Sequence, residues 1–462
     1  MRRWAVLVAF VIVAAAAIAA LVIYSNRTQS EIDSQLYIPK PERITPEIRL
    51  LQKYVQIDTS NPPGREMPGA RFLAGLLEQN GVKAEVIESE PGRASVYARI
   101  AGRRSDEGLL LLNHIDVVPA DPKRWKRPPF AADIFLNQLW GRGALDMKSI
   151  ALCELDGFLA VARTHRTPER DLVFLAVCDE EVGGKLGTAW LLDHRPDIFK
   201  GIRYAINEGG VTETKQEQLT YFGIEVGTKT IVRLRLRSKT REQMQRLRIA
   251  LEPYLGPRDP DRILPEVREF LHDIASQRVE IHSLLDDVVK TEADGKFWLL
   301  PRGYKELTQN VIWLSSITTD NKGAAMELNL YNLPDEDPDK RIEWLRTTAE
   351  PFGATIDEVI SKDAPAPITS HHTPLYALIA REAKREYGDV AVGTEILAAS
   401  SNDSRYLRNR GISCYGLWPF EVDYFQTLGI HGTDERIRID WFMRGIALTR
   451  RLVTAYALEP NL

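Results

Sequence analysis

The chain has 462 residues, 44% hydrophobic and 27% charged, with a formal net charge of −4. At about 150 residues per domain, that length gives two or three domains and ample material for a core. The near balance of charge excludes the global basic field that nucleic-acid binding requires, and three scattered cysteines, Cys153, Cys178 and Cys414, exclude a disulfide framework or a thiolate zinc cluster.

Arg2 and Arg3 precede 21 uncharged residues, Trp4 to Tyr24. A bilayer core takes about 20 apolar residues as a helix, so residues 4–24 are expected to form one transmembrane signal anchor. The two arginines would stay in the cytoplasm and the main body would be exported, to the periplasmic or extracellular side. Cleavage near "AIAA" is the competing reading. Residues 25–44 read as a polar linker.

Thr45 is a plausible N-cap with Pro46 at the first helical position, and Ile48, Leu51 and Val55 fall on one helical face. "RFLAGLLEQNG" gives a second helix that stops at Gly81. "KAEVIES", "ASVYARIAG" and "GLLLLN" read as strands, and the unbroken apolar run of the last suits a strand buried on both faces. "MKSIALCELDGFLAVART" is helical, "DLVFLAVC" a second buried strand, "GGKLGTAWLLDH" a helix and "IRYAIN" a strand. This alternation predicts an α/β layer with a mostly parallel central sheet over residues 45–225. After Glu225 the pattern changes. "TKTIVRLRLRS" alternates, "TREQMQRLRIALE" is helical, two strand-like runs follow, then a helix and a strand. That order predicts a smaller ferredoxin-like α+β domain over residues 226–364, inserted in the larger one. Residues 365–462 return to the first domain and end in a helix.

Candidate metal ligands cluster where strands of the first layer end. His114 follows "LLLLN", with Asp116 two residues on. Asp146 lies in the Gly-rich loop "WGRGALDMK". Glu180 and Glu181 follow "DLVFLAVCD", Glu208 follows "YAIN", and His431 lies late, in "GIHGTDERI". In open α/β sheets, sites form at the carboxyl ends of strands. Zinc takes imidazole and carboxylate ligands, and paired metals about 3.5–4 Å apart form two-metal sites. The set can supply two sites, each with one histidine and one terminal carboxylate, plus a shared aspartate. One carboxylate is then left over as a general base. Cations totalling about four positive charges would also offset the crowding of Asp179, Glu180 and Glu181.

Together, "NHIDVVP", "GRGALDMK", "DEEVGG", "NEGG", "TSNPPG" and "IHGTDERI" resemble the co-catalytic zinc peptidase family of glutamate carboxypeptidase, succinyl-diaminopimelate desuccinylase and aminoacylase. The last motif is most similar to the carboxypeptidase S branch. The resemblance covers roughly residues 45 to 460. It implies a zinc-peptidase-type α/β/α catalytic domain and two zinc ions per chain, with His114 on one and His431 on the other. Asp146 would bridge them, and Glu181 and Glu208 would complete one site each. Glu180 would be the general base, and Asp116 would hydrogen-bond the His114 ring and fix its tautomer. The Asp146–Met147 bond falls where the family often has a cis peptide. The implied reaction is hydrolysis of an amide bond in a small peptide or N-acyl amino acid.

Arg405 is the candidate anchor for a substrate carboxylate, with a structural salt bridge to Asp403 as the alternative. The chain departs from the family where the inserted domain usually carries a histidine that stabilises the oxyanion. Here the sequence reads "RLRSKTREQ", and Lys239 or Arg241 are the nearest substitutes. Tyr331 also stands near the place of a family arginine. These departures keep a second reading open, a membrane-anchored, metal-retaining binding or scaffold protein, and they leave both a monomer and a homodimer open.

Overall fold

In the strand Arg104–His114, Leu109 to Leu112 are all fully buried. Successive side chains of a strand point to opposite faces. Leu109 and Leu111 accordingly join one apolar cluster, and Leu110 and Leu112 another. Each fully buried leucine contributes roughly 1.5–3 kcal/mol, so a charge at any of the four would break a packed layer. The first cluster gathers the helices Pro46–Val55, Lys148–Ala162 and Ile439–Leu458 on one face of the sheet. The second gathers Thr188–His194 and Ser404–Arg408 on the other. The result is an α/β fold in three layers.

The computed structural model describes residues 44–215, 218–252, 263–275, 304, 306–397 and 400–461. The expected anchor at 4–24 lies outside the described residues. Among the described residues, no helix is long and apolar enough to cross a membrane.

Among the described residues, the large sheet has ten strands. Its centre is parallel, as expected, in the order Arg170–Val177, Arg104–His114, Ile202–Asn207, Ser413–Leu417. Its flanks are not, so the sheet is mixed rather than mostly parallel. Ala84–Glu90 and Arg93–Ile100 form an antiparallel hairpin that continues antiparallel onto Arg170–Val177. On the other flank, Thr212–Lys215 and Gln218–Thr228 are antiparallel, while Val392–Leu397 joins Gln218–Thr228 in parallel. Two residues connect each hairpin, far fewer than a parallel crossover needs.

Local sequence explains the helices that support the site. Thr45 accepts a hydrogen bond from Ile48 N, with Pro46 beginning the helix. Lys148–Ala162 is buried on nearly every side because it lies between the sheet and Ile439–Leu458. A Cβ on Gly157 would sit 3.0 Å from Val453 Cγ2 and 3.2 Å from Thr449 O. Glycine is what lets these two helices approach so closely.

A second, antiparallel sheet orders Val311–Leu314, Gly323–Asn332, Thr230–Ser238 and Ala354–Lys362, with Thr318–Asp320 also on Gly323–Asn332. Helices Arg241–Leu251 and Pro338–Ala349 cover one face, packing Met244, Leu247 and Leu345 on Val232, Leu234 and Leu328. Thr240 and Gln243 close a reciprocal capping box at the start of the first helix. The succession strand, helix, strand, strand, helix, strand is that of a split β-α-β unit. Helix Pro265–Ala275, within the segment expected to be inserted, instead joins the large core, where Phe270 packs edge-on against Tyr221. A three-stranded sheet of Asp133–Phe135, Gln138–Trp140 and Arg436–Arg438 stitches the C-terminal segment beside the loop that carries Asp146.

Candidate metal centre

The fold gathers all five expected ligands at one end of the parallel strands. His114 closes its strand, Glu208 directly follows Ile202–Asn207, and Glu180 and Glu181 begin the turn after Arg170–Val177. Asp146 precedes the Lys148–Ala162 helix and is joined to Met147 by a cis peptide bond. His114 Nε2 lies 3.0 Å from Asp146 Oδ1 and 3.6 Å from Glu208 Oε2. His431 Nε2 lies 3.1 Å from Asp146 Oδ2 and 2.9 Å from Glu181 Oε2. Each oxygen of Asp146 thus faces a different imidazole. Donor atoms of His114, Asp146 and Glu181, and likewise of His114, Glu180 and Glu208, lie within 4.8 Å of one another.

No Lys or Arg pairs with Asp146, Glu180, Glu181 or Glu208 among the described residues, although all four are crowded together. Burial raises the Glu208 carboxyl to about 7, and the charge of Asp146 adds to the shift. Burial likewise pushes Glu180 well above the usual carboxylate range, reinforced by Glu208. Burial opposes the charge of Asp146 too, but hydrogen bonds to His114 and His431 win and hold it below its usual value. Burial disfavours the His431 imidazolium, yet Asp146 and Glu181 raise it to about 11. Four carboxylates and two imidazoles, with no Lys or Arg paired to them among the described residues, form the oxygen and nitrogen donor set of divalent metal ions, and the residues fit that role.

The surroundings explain how these side chains are held. The His114 ring is positioned through Nδ1, 2.8 Å from the backbone carbonyl of Asp116. The bond to Asp116 thus runs through its backbone, and the Asp116 carboxylate is 3.7 Å from Nδ1. That carboxylate instead accepts from Asn61 Nδ2, Glu180 N and Glu181 N, at 2.9, 3.2 and 3.2 Å. It therefore fixes the turn that carries both glutamates. Asp179, the first of the three crowded acids, turns away from the site. Its backbone is left-handed, which aspartate tolerates, and its carboxylate accepts from Arg93 Nη2 and Leu186 N.

Glu435 was not singled out from the sequence. It is fully buried and accepts from Arg142 Nη1, Gly143 N, Leu145 N and Asp146 N at 2.6, 2.9, 2.7 and 3.1 Å. Arg142 Nη2 in turn donates to Gly432 O at 2.6 Å. One ion pair therefore ties the loop of Asp146 to the loop of His431. The only sequence signal was an acid inside the "IHGTDERI" motif.

Arg405 is buried, and its guanidinium is occupied. Nη1 donates to Asn402 O and Ser401 Oγ, and Nη2 to Gly183 O and Tyr406 Oη. Nε faces Asp363 at 3.7 Å, and no ion pair to Asp403 forms. Neither Lys239 nor Arg241 lines either cavity at the site, and Arg241 Nη1 donates to Ile317 O.

Two cavities meet at Glu180, Glu181 and His431. One, of about 500 Å³, has apolar walls from Ile150, Val211, Leu397, Trp418 and Ile430. The other, of about 460 Å³, runs between the two sheets and carries Lys185, Arg233, Lys362 and Arg405.

A strand-end centre of this donor set, beside a two-armed cleft, marks a metal-dependent hydrolase. The profile of peptidase family M20/M25/M40 matches residues 110–455, and the chain belongs to that family. It is 25% identical to human aminoacylase-1 over 441 residues, 91% of this chain and 98% of that protein. An M20 family metallo-carboxypeptidase from Sulfolobus solfataricus shares the fold with a TM-score of 0.69 and 20% identity, over 90% of this chain and 100% of that one. A dinuclear metal binding peptidase from Bacillus subtilis shares it with a TM-score of 0.54 and 12% identity, over 89% and 97%. The protein is a hydrolase of amide bonds of the metallopeptidase and aminoacylase kind.

Proposed function

We propose that the chain is a two-zinc hydrolase that cleaves the amide bond of N-acyl amino acids or small peptides. The observation that carries this reading is the Asp146 carboxylate, with one oxygen toward His114 and the other toward His431. His114, Asp146 and Glu208 would hold one ion, and His431, Asp146 and Glu181 the other. When bound, such a pair lowers the pKa of water and polarises the scissile carbonyl.

Glu180 is the acid left over. Its carboxylate makes no hydrogen bond or ion pair with the described residues, and it faces both cavities. It takes a proton from the attacking water and returns it to the leaving amine. Asp116 holds Glu180 in place through the backbone N–H of that residue. Arg405 adds positive charge to the wall of the cleft between the sheets. Residues 4–24 would anchor the chain in a membrane with the enzyme body outside the cytoplasm.

Glu180→Gln keeps the shape of the side chain and removes the base. We expect turnover of N-acyl amino acids and dipeptides, followed by mass spectrometry, to fall by at least about 10²–10⁴-fold with zinc content unchanged. Equal turnover in wild type and variant would refute the mechanism.

A further inference from the structure

The strand Thr230–Ser238 presents three arginines on its polar face, Arg233, Arg235 and Arg237. Two are matched by acids on neighbouring strands. Arg235 pairs with Glu327 and Glu358, and Arg237 with Asp320 and Asp357. Arg233 breaks the pattern. Its cross-strand neighbours are Asn329 and Ser361, both neutral. Its side chain makes no ion pair or hydrogen bond with any described residue, and it lines the cavity that contains Glu180 and His431. The sheet neutralises the two arginines outside the cavity and, among the described residues, leaves the third without an acid on the cavity wall.

From this register we infer that Arg233 binds the carboxylate of the substrate, a role that rests on the hydrolase reading. The surroundings favour it over the other cations of the cleft. Arg405 has given its donors to Gly183, Asn402, Ser401 and Tyr406, and Lys362 pairs with Asp339. Lys185, also without an ion pair among the described residues, is a point charge on a flexible stem, whereas Arg233 offers a planar fork matched to a carboxylate. Ile231, on the same strand, pairs in register with Tyr331, so the wall beside Arg233 is rigid sheet. With the carboxylate half of an N-acyl amino acid held here, the acyl half lies in the apolar cavity walled by Leu397, Trp418 and Ile430.

The test uses the purified full-length protein and two probes, N-acetyl-L-phenylalanine and N-acetyl-L-phenylalaninamide, which differ only in the carboxylate. Acetate release is measured for wild type, Arg233→Ala, Arg233→Lys, Arg235→Ala and Lys185→Ala. Loss of a charge-assisted hydrogen-bonded pair predicts a rise of about 10- to 100-fold in KM for the acid with Arg233→Ala. We expect kcat to change less than about threefold and KM for the amide to be unchanged. Arg233→Lys recovers part of the loss, and Arg235→Ala behaves as wild type. Equal effects on both probes, no effect, or a loss that follows Lys185→Ala instead overturns the assignment. Acetate release from neither probe by wild type counts against the hydrolase reading, and calorimetry then decides the inference separately. Binding of N-acetyl-L-phenylalanine about 10- to 100-fold weaker in Arg233→Ala than in wild type upholds it. Equal binding, or no binding to either protein, overturns it.

Discussion

Replacing Glu435 by glutamine tests whether one buried carboxylate holds the metal centre together. The change preserves shape but leaves one acceptor oxygen where two receive four donors, from Arg142, Gly143, Leu145 and Asp146. The new amide N–H₂ would face two of those donors, and Arg142, itself buried, would lose its ion pair. Breaking one side of a buried pair costs about 3–5 kcal/mol. At about 2–3 °C per kcal/mol for a large domain, the melting temperature falls by roughly 6–15 °C. Because Asp146 N is one of the released donors, the zinc affinity also falls, by about 10- to 100-fold. Thermal melts of the metal-free protein followed by circular dichroism read the first effect, and competition with a zinc-sensitive chelator reads the second. A melting temperature within about 2 °C of wild type, with unchanged zinc affinity, would show that the loops of Asp146 and His431 are held by something other than this carboxylate.

Two further outcomes follow. Leu397→Trp fills the apolar arm, so it should lower kcat/KM for long-chain N-acyl amino acids by about tenfold or more while sparing N-acetyl substrates, because overpacking costs roughly 1–3 kcal/mol. Equal effects on both chain lengths would place the acyl group elsewhere. Full-length protein should sediment with membranes after alkaline carbonate extraction while residues 30–462 stay in the supernatant, since about 20 apolar residues suffice to span a bilayer; equal partitioning would remove the anchor.

Features encoded within short windows of the chain are legible in the residues themselves. The unbroken apolar run Leu109–Leu112 announces a strand buried on both faces, and Thr45-Pro46 announces a helix start. His114, Asp146, Glu181, Glu208 and His431 stand out because each ends a strand or sits in a distinctive loop motif, and the structure brings them together. Other features depend on partners far along the chain. Asp116 was expected to hydrogen-bond the His114 ring, with no indication of which of its groups would do so. Its backbone carbonyl has that place, and the carboxylate faces Asn61 and the Glu180 turn instead. The expected mostly parallel sheet is mixed because two tight hairpins sit at its flanks.

The sequence by itself determined the alternation of strand and helix, the chemical identity of the donor set and its location at strand ends, because side-chain periodicity and loop chemistry are local properties. Only the tertiary structure decided which acids answer which cations. Arg142 and Glu435 are 293 residues apart, yet they form one buried pair. Arg235 and Arg237 are neutralised by neighbouring strands, while the Arg233 side chain has no acidic partner among the described residues. Electrostatic pairing is a matter of distance in space, and that distance is set by strand register and loop closure, which no window of the sequence contains.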